Sequence, residues 1–321
     1  MLFTKNKICY HIYPMDDAIC NHKNFGRVAR LDTLSLLRCD ECAVVFTDRR
    51  MDDFDPEGLY VDYYKNEMAG RFNLGIECLV RLFRFFRAFK IFTVSPRAKT
   101  ILDVGSGRGF LLYYLKKYYG YARAAGSQVS KNAIEFSRNT LGLEIYDKDL
   151  LELSLGQSAF DVITIWHVLE HVREPEKYIV QMENLLKADG KLVIEVPNFD
   201  SWTRGLTGKY WLGLDLDYHI YFFTPKSLCG LLEKHGFKIV SLHTFSLEYS
   251  TFISTQSLVS LLTKSGHLFF KFLQGDKIGW WLAPHLLLFM ALAPICFLIN
   301  IFLYFSKRGE VVLVVAEKNK E

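Results

Sequence analysis

The residues with the clearest chemical potential lie in two short runs. The first, Asp103-Val104-Gly105-Ser106-Gly107-Arg108-Gly109, follows the apolar stretch ILDV and precedes FLLYYLKKYY, which has helical spacing. Glycines at a strand-to-helix turn let the backbone bend sharply and approach a ligand, while the helix start offers N–H groups to a carboxylate or ribose oxygen. The spacing D-x-G-x-G-x-G is not that of the dinucleotide fingerprint, although a tight turn in some other α/β protein would read the same way. The second run, His167-Val168-Leu169-Glu170-His171-Val172, follows the strand-like FDVITIW. Taken alone, H-x-x-E-H matches an inverted zinc-protease pattern, with two histidines on one helical face and a glutamate base. Its place after a strand, beside the glycine loop, is instead where open α/β sheets hold ligands. There His171 is a candidate to take a proton from an acceptor hydroxyl, or, with Glu170, to hold a divalent ion that acidifies it. The plain alternative is that both residues cap the next helix and shape the pocket.

Both runs need a rigid frame, and the surrounding sequence supplies one. From Thr100 onward, strand-like and helical runs alternate: ILDV, a helix from Phe110, ARAAGSQ, a helix from Lys131, LEIY, FDVITIW, a helix from Pro175, and KLVIEV. That order predicts βαβ units and a parallel sheet. Ahead of it, residues 76–92 space Arg81, Arg84, Arg87 and Lys90 three apart among apolar side chains, which predicts a helix with a basic edge, ended by Ser95-Pro96. A helix from Pro225, the strand-like FKIVSLHTF, a hydrophobic block and EVVLVVAE follow. The expected units are a small, irregular cysteine-containing module (1–50), a core (51–249), a hydrophobic helical insertion (250–308), and a last core strand with its tail (309–321).

Over roughly residues 100–245, these motifs in this order resemble the class I S-adenosylmethionine-dependent methyltransferases. The resemblance implies an α/β, Rossmann-like, doubly wound sheet of seven strands with an antiparallel last strand, and S-adenosyl-L-methionine as cofactor. It places Asp103, Gly105, Ser106, Gly107 and Gly109 at the amino-acid and ribose end, and His167 among the cofactor-binding residues. Gln128 stands where the family presents an acid to the ribose hydroxyls. Its amide still accepts and donates hydrogen bonds, so weaker ribose binding is expected. Asp149-Leu150 matches the position that meets the adenine ring, with a helix N-cap as the alternative for Asp149. Tyr60, Tyr63 and Tyr64 match tyrosines that fold over the cofactor, or else pack ordinarily. His219 is the leading general base, or a loop-tethering histidine. Asp217 and Tyr218 replace a proline and an arginine of relatives, so an anionic group bound by that arginine is not expected. Quinone methyltransferases have a similar Glu-His pair that binds metal. Displacement at a sulfonium methyl depends chiefly on alignment, so the base matters mainly for hydroxyl acceptors.

Cys39-x-x-Cys42 resembles the second half of a zinc knuckle found in sugar and polyketide methyltransferases. A structural zinc needs four ligands. Cys20 and His22 lie at a fitting distance to complete the set, with Cys9 and His11 as alternatives, and a knuckle that has lost its metal is the competing reading.

The remaining signals concern location and acceptor. A net charge of +4, from 39 basic and 35 acidic residues, gives no electrostatic footprint of a nucleic-acid binder. Seven cysteines and no signal-peptide pattern at the start predict the reducing cytoplasm. Residues 278–306 contain no Asp, Glu, Lys or Arg, a length sufficient to span a bilayer. The flanking strands must be neighbours in one sheet, however, so a re-entrant or interfacial hairpin is expected, broken at Pro284 and Pro294. Lys277, Trp280, Trp281, Lys307 and Arg308 would be its interfacial anchors, with the basic helix 76–92 on the same surface. A buried interface or extra core layer is the alternative. The expected reaction is O-methylation of a saccharide or lipid-linked glycan precursor at the inner face of a membrane. Its rivals are a metal-assisted quinone or small-lipid methyltransferase and a non-catalytic cofactor-binding membrane scaffold.

Overall fold

The computed structural model describes residues 24–31, 34–48, 74–273 and 276–319. Within the N-terminal stretch, expected to be irregular, the described residues form a small antiparallel sheet. Strands β1 (Phe25–Leu31), β2 (Leu34–Cys39) and β3 (Val45–Thr47) pair in sequence order. The inward residues Leu37, Val44 and Phe46 join the main core. Helix α1 (Leu74–Val94) then leads into the alternating region: β4 (Thr100–Val104), α2 (Phe110–Tyr118), β5 (Arg123–Ser127), α3 (Lys131–Asn139), β6 (Glu144–Tyr146), β7 (Phe160–Trp166), α4 (Pro175–Leu185) and β8 (Leu186–Pro197). After the short α5 (Trp202–Thr207) come β9 (Tyr221–Phe222), α6 (Pro225–Lys234), β10 (Phe237–His243), α7 (Ser250–Thr263), α8 (Leu268–Leu273), α9 (Leu282–Phe305) and β11 (Val311–Lys318).

The main sheet has seven strands in the order β10-β11-β8-β7-β4-β5-β6, while β9 completes the small sheet beside β3. Strands β4 to β8 are parallel, and β11 runs antiparallel to both β8 and β10. Both faces of the central strands are covered, which explains their continuous apolar runs. Leu102, Ile163, Ile165 and Ile194 pack on one side with α4, and Ile101, Val162 and Val193 on the other with α1 and α2. The order reverses between β4 and β7, so the carboxyl ends of these two strands open the crevice in which such sheets bind ligands.

Two expectations about the apolar regions are corrected. Residues 282–305 form one unbroken helix, α9, rather than a hairpin. Pro284 sits in its first turn, where the missing N–H has no intrahelical partner to lose, and Pro294 is accommodated within it. The partner of α9 is α7, whose buried face is polar, including Ser250, Ser254, Thr255, Gln256, Ser257 and Ser260. Asn300 of α9 donates from Nδ2 to Ser254 Oγ at 2.7 Å and to Cys296 O at 2.8 Å, and near the other end His285 Nε2 lies 3.0 Å from Ser265 Oγ. The outer side of α9 exposes Leu287, Met290, Leu298, Phe302 and Phe305. Polar groups face inward and large apolar ones outward, the reverse of a helix on a water-facing surface.

Two residues of the basic edge of α1, Arg84 and Arg87, are likewise turned inward. Arg84 and Arg87 both pair with Glu248, at 3.0 and 2.5 Å, and Arg87 lies 4.1 Å from the Trp166 ring centroid. Arg81, paired with Glu77 at 3.0 Å, is exposed, and so are Leu79, Leu82, Phe86 and Phe89. Charged groups made unavailable by an ion pair cannot anchor the helix on a surface.

Glu310, at the mouth of β11, is fully buried and accepts from Trp211 Nε1 at 3.0 Å. Burial pushes its carboxyl up to about 7 against the pull of Thr203, Trp211 and Ser201. Because the folded value lies above the ordinary one, the cost of ionising it is absent at low pH and grows as pH rises toward neutrality. Glu310→Gln is therefore expected to stabilise the fold on the order of 2–3 kcal/mol at about pH 8, and to do nothing at about pH 4. Urea unfolding at both pH values checks this, and equal effects at the two would contradict it.

Candidate active site

The glycine turn is shaped by backbone conformation and by close neighbours. Gly105 and Gly109 have φ of 68° and 73°, and an added Cβ would lie 2.5 Å from Val168 Cγ2 and from Leu143 Cδ1 respectively. Neither position admits a larger side chain without displacing its neighbour. Gly105 N–H and Ser106 N–H both donate to Ser127 O, at 3.0 and 3.1 Å, which ties the turn to the end of β5. Gly107 shares the left-handed conformation, φ 53°, and Arg108 beside it makes a two-pronged ion pair with Glu77 of α1, at 3.0 and 2.8 Å. At the end of β4, Asp103 is buried and accepts from Thr164 Oγ1 at 2.6 Å. Burial raises its carboxyl to about 6, although Thr164, Arg87 and Arg84 pull it down.

At the end of β5, Gln128 is buried, and its Oε1 accepts from Val129 N–H at 2.8 Å and Ser130 N–H at 3.1 Å. The amide oxygen is thus already engaged, which leaves the NH2 group as its donor to a ligand. Asp149 behaves as the cap that its alternative reading described. Its Oδ1 accepts from Leu151 N–H at 2.9 Å, its Oδ2 from Tyr178 O–H, and Leu150 is buried beside it.

The H-x-x-E-H run does not form a helix, so its histidines do not share a helical face. His167 leaves β7 with φ 52°, a left-handed conformation rare outside glycine. Its Nε2 lies 3.1 Å from Glu195 Oε1 and its Nδ1 3.4 Å from Glu170 Oε1, with Tyr249 edge-on at 4.3 Å. Burial opposes its charge, but Glu170 and Glu195 outweigh burial and raise it to about 10. Both ring nitrogens are committed to this buried pair, so His167 is part of an ion cluster rather than an open cofactor contact. Sequence reading missed Glu195, although a carboxylate inside the apolar KLVIEV was the available signal.

Glu170, His171 and His219 converge beyond that cluster. One ligand atom from each lies within 4.8 Å of the others. His171 Nδ1 is 3.0 Å from Tyr218 O and His219 Nδ1 is 3.1 Å from Gly213 O. A carbonyl only accepts, so both Nδ1 atoms carry hydrogen and both Nε2 atoms keep a lone pair. The rings meet edge-on, with centroids 4.6 Å apart. Burial lowers His171 and pushes His219 down to about 3. Burial would raise Glu170, but the His167 hydrogen bond and the adjacent histidines bring it down to about 2. Apart from the 3.4 Å ion pair with His167, its two buried oxygens have no well-formed hydrogen bond among the described residues. A carboxylate with unmet acceptor capacity beside two neutral, oriented imidazoles is a donor set that suits a divalent metal. In the same loop, burial and the charges of Asp217 and Glu170 push Asp215 up to about 7.

Of the expected zinc ligands, Cys20 and His22 lie outside the described residues, as do Tyr60, Tyr63 and Tyr64. Cys39 and Cys42 share a tight turn after β2, in which Cys42 N–H donates to Cys39 Sγ at 3.4 Å.

A seven-stranded doubly wound sheet with an antiparallel β11, a glycine turn after β4 and a ligand-facing crevice beside it defines the Rossmann-like class of S-adenosylmethionine enzymes. The chain belongs to a methyltransferase family: the family's sequence model, described as "Methyltransferase domain", matches residues 80–242. Among curated relatives, the ubiquinone biosynthesis O-methyltransferase of Coxiella burnetii is 28% identical over 160 residues, 46% of this chain and 68% of that protein. The tRNA U34 carboxymethyltransferase of Dichelobacter nodosus is 29% identical over 157 residues, 45% of this chain and 47% of that protein. A Galdieria sulphuraria structure, provisionally described as a sarcosine dimethylglycine methyltransferase, shares the fold, with TM-score 0.50 at 13% identity over 83% of this chain and 99% of its own.

Gly105→Val should lower affinity for S-adenosylhomocysteine by on the order of a hundredfold, because its side chain meets Val168 at a strained φ. Calorimetric titration beside a circular dichroism spectrum checks this, and unchanged affinity in a folded variant would remove the turn from the cofactor site.

Proposed function

We propose that this enzyme methylates a hydroxyl group of a small lipid-like acceptor at a membrane surface, with Glu170, His171 and His219 as its acceptor-activating site. The convergence of one buried carboxylate and two neutral imidazoles, each imidazole tied to a backbone carbonyl, is the observation that carries this reading. S-adenosylmethionine supplies an electrophilic methyl group, and a divalent cation, when bound, would supply the Lewis acidity that lowers an acceptor hydroxyl's pKa. The turn at Gly105, Ser106, Gly107 and Gly109 and the Asp103 carboxyl serve the amino-acid and ribose end of the cofactor. Gln128 offers its amide hydrogens to the ribose, and the backbone at Leu150 serves the adenine, since both Asp149 oxygens are already occupied. His171 and His219 present lone pairs that either hold the cation or take the acceptor proton. With Glu170 they fix the acceptor oxygen in line with the methyl carbon, and such positioning supplies much of the rate.

A quinone-like acceptor agrees with this donor set and with the name of the Coxiella relative. A saccharide or lipid-linked glycan precursor is the second reading. It rests on the Cys39–Cys42 turn, whose retained N–H to sulfur contact has the form of half a zinc knuckle. The convergence of Glu170, His171 and His219 at the crevice weighs against a non-catalytic scaffold, and the near-balanced charge weighs against RNA. The exposed apolar side of α9 supports association with the cytoplasmic face of a membrane. Its polar ties to the body, at Asn300, His285 and Tyr304, support a helix lying along the surface rather than crossing it.

Transfer of labelled methyl groups to catechol and quinol acceptors tests the proposal. Activity should fall at least about tenfold with chelator, return with added magnesium or zinc, and be lost in Glu170→Gln, because removing one ligand of such a site costs about that much or more. Full activity under chelation would leave His171 or His219 as a metal-free base, and full activity in Glu170→Gln would contradict the site.

A further inference from the structure

The end of α9 carries a feature that methyl transfer does not use. The chain leaves the helix through Lys307 in the left-handed region, φ 57°, and Arg308 N–H returns to Leu303 O at 3.3 Å. This closure ordinarily takes glycine. Here both closing residues are cations. Lys307 and Arg308 line an open pocket of about 430 Å³ together with Asp200, Arg204, Pro225 and Lys226. Four cations face one carboxylate there, and Asp200 is shared with Arg38 at 3.6 Å. The Arg204 guanidinium lies over the Phe199 ring at 4.0 Å, and its Nε is buried with no hydrogen-bond partner among the described residues. Burial and the nearby charges of Arg38 and Arg308 both work against its protonated form, with Asp200 the opposing influence. Like charges converging around an unmet donor form a site for an oxyanion.

The surroundings select the kind of anion. The pocket adjoins the last turn of α9, whose exposed Leu298, Phe302 and Phe305 are among the most accessible apolar residues of the protein. At the opposite end of the helix Trp280 and Trp281 stack at 3.9 Å and are exposed. A helix lying along a bilayer needs apolar residues at acyl depth, with aromatic and cationic residues at headgroup depth. The position of Lys307 and Arg308 immediately after the apolar run satisfies that geometry.

We propose that this pocket binds the phosphate of an anionic glycerophospholipid headgroup while the outer face of α9 enters the acyl region of the same leaflet. The proposal rests on the membrane association proposed above and adds a lipid preference to it. The pocket would then fix how the enzyme sits on the leaflet from which the acceptor is drawn.

Flotation of the full-length protein with phosphatidylcholine vesicles, with and without phosphatidylglycerol, separates the two layers of the argument. Binding to phosphatidylcholine alone reports α9, and the gain with phosphatidylglycerol reports the pocket. The gain is expected to be about tenfold or more, from several cations each favoured near an anionic surface. Lys226→Ala with Lys307→Gly should erase the gain and leave phosphatidylcholine binding intact. Both positions are exposed, and glycine suits the backbone at 307. Phe302→Ser with Phe305→Ser should weaken binding to both vesicles. No gain with phosphatidylglycerol, or a gain that survives the double substitution at 226 and 307, overturns the headgroup site. Micromolar binding of inorganic phosphate without vesicles, lost in that same variant, would reassign the pocket to a soluble anion and also overturn it. No binding to either vesicle would instead refute the membrane reading beneath it.

Discussion

The arrangement of the site depends on one buried ionic cluster, the His167 ring held between Glu170 and Glu195. Two carboxylates buried this close together would be intolerable without a cation between them. The ring needs a left-handed backbone at 167 to reach both, and His167 N–H secures that conformation by donating to Glu195 O at 2.8 Å. Strain of this kind persists where the surroundings over-determine it. The ends of β7 and β8 are thereby locked together at the crevice. Glu170 is held as an anion, positioned but still short of hydrogen bonds, which is the property that suits it to the ligand role proposed for it.

The same cluster reaches into the insertion. Ser246 donates to Glu195 at 3.3 Å and Tyr249 packs against His167, and both precede α7. Glu248 between them gathers Arg84 and Arg87 from α1. The platform that carries α9 is therefore built from the loop that also closes the back of the site. In the proposed reading, membrane apposition and acceptor chemistry would share a structural element instead of occupying separate domains, and an acceptor drawn from a bilayer would benefit from that proximity.

Much of the core was legible because local signals and tertiary context agree there. The apolar runs at 101–104, 160–166 and 191–196 are buried on both faces, and glycines at 105, 107 and 109 mark the turn without competition. What escaped reading depended on partners far away in the chain. Arg84 and Arg87 of α1 face inward because of Glu248, 164 residues beyond Arg84. His167 reads as a crevice residue until Glu195, 28 residues on, is known to lie beside it. The break expected at Pro284 fails for a local reason, since proline is tolerated in a first helical turn. The strands at 25–47 are short and gain stability from β9, which the sequence supplies nearly two hundred residues later.

The most direct test is nitrogen-detected NMR of the histidine rings in protein saturated with S-adenosylhomocysteine, titrated with zinc at about pH 7, where an unperturbed imidazole is mostly neutral. The account predicts a doubly protonated His167, with His171 and His219 neutral, protonated at Nδ1, and shifting at Nε2 as zinc binds. A neutral His167, or Nε2 signals of His171 and His219 that stay fixed through the titration, would contradict it.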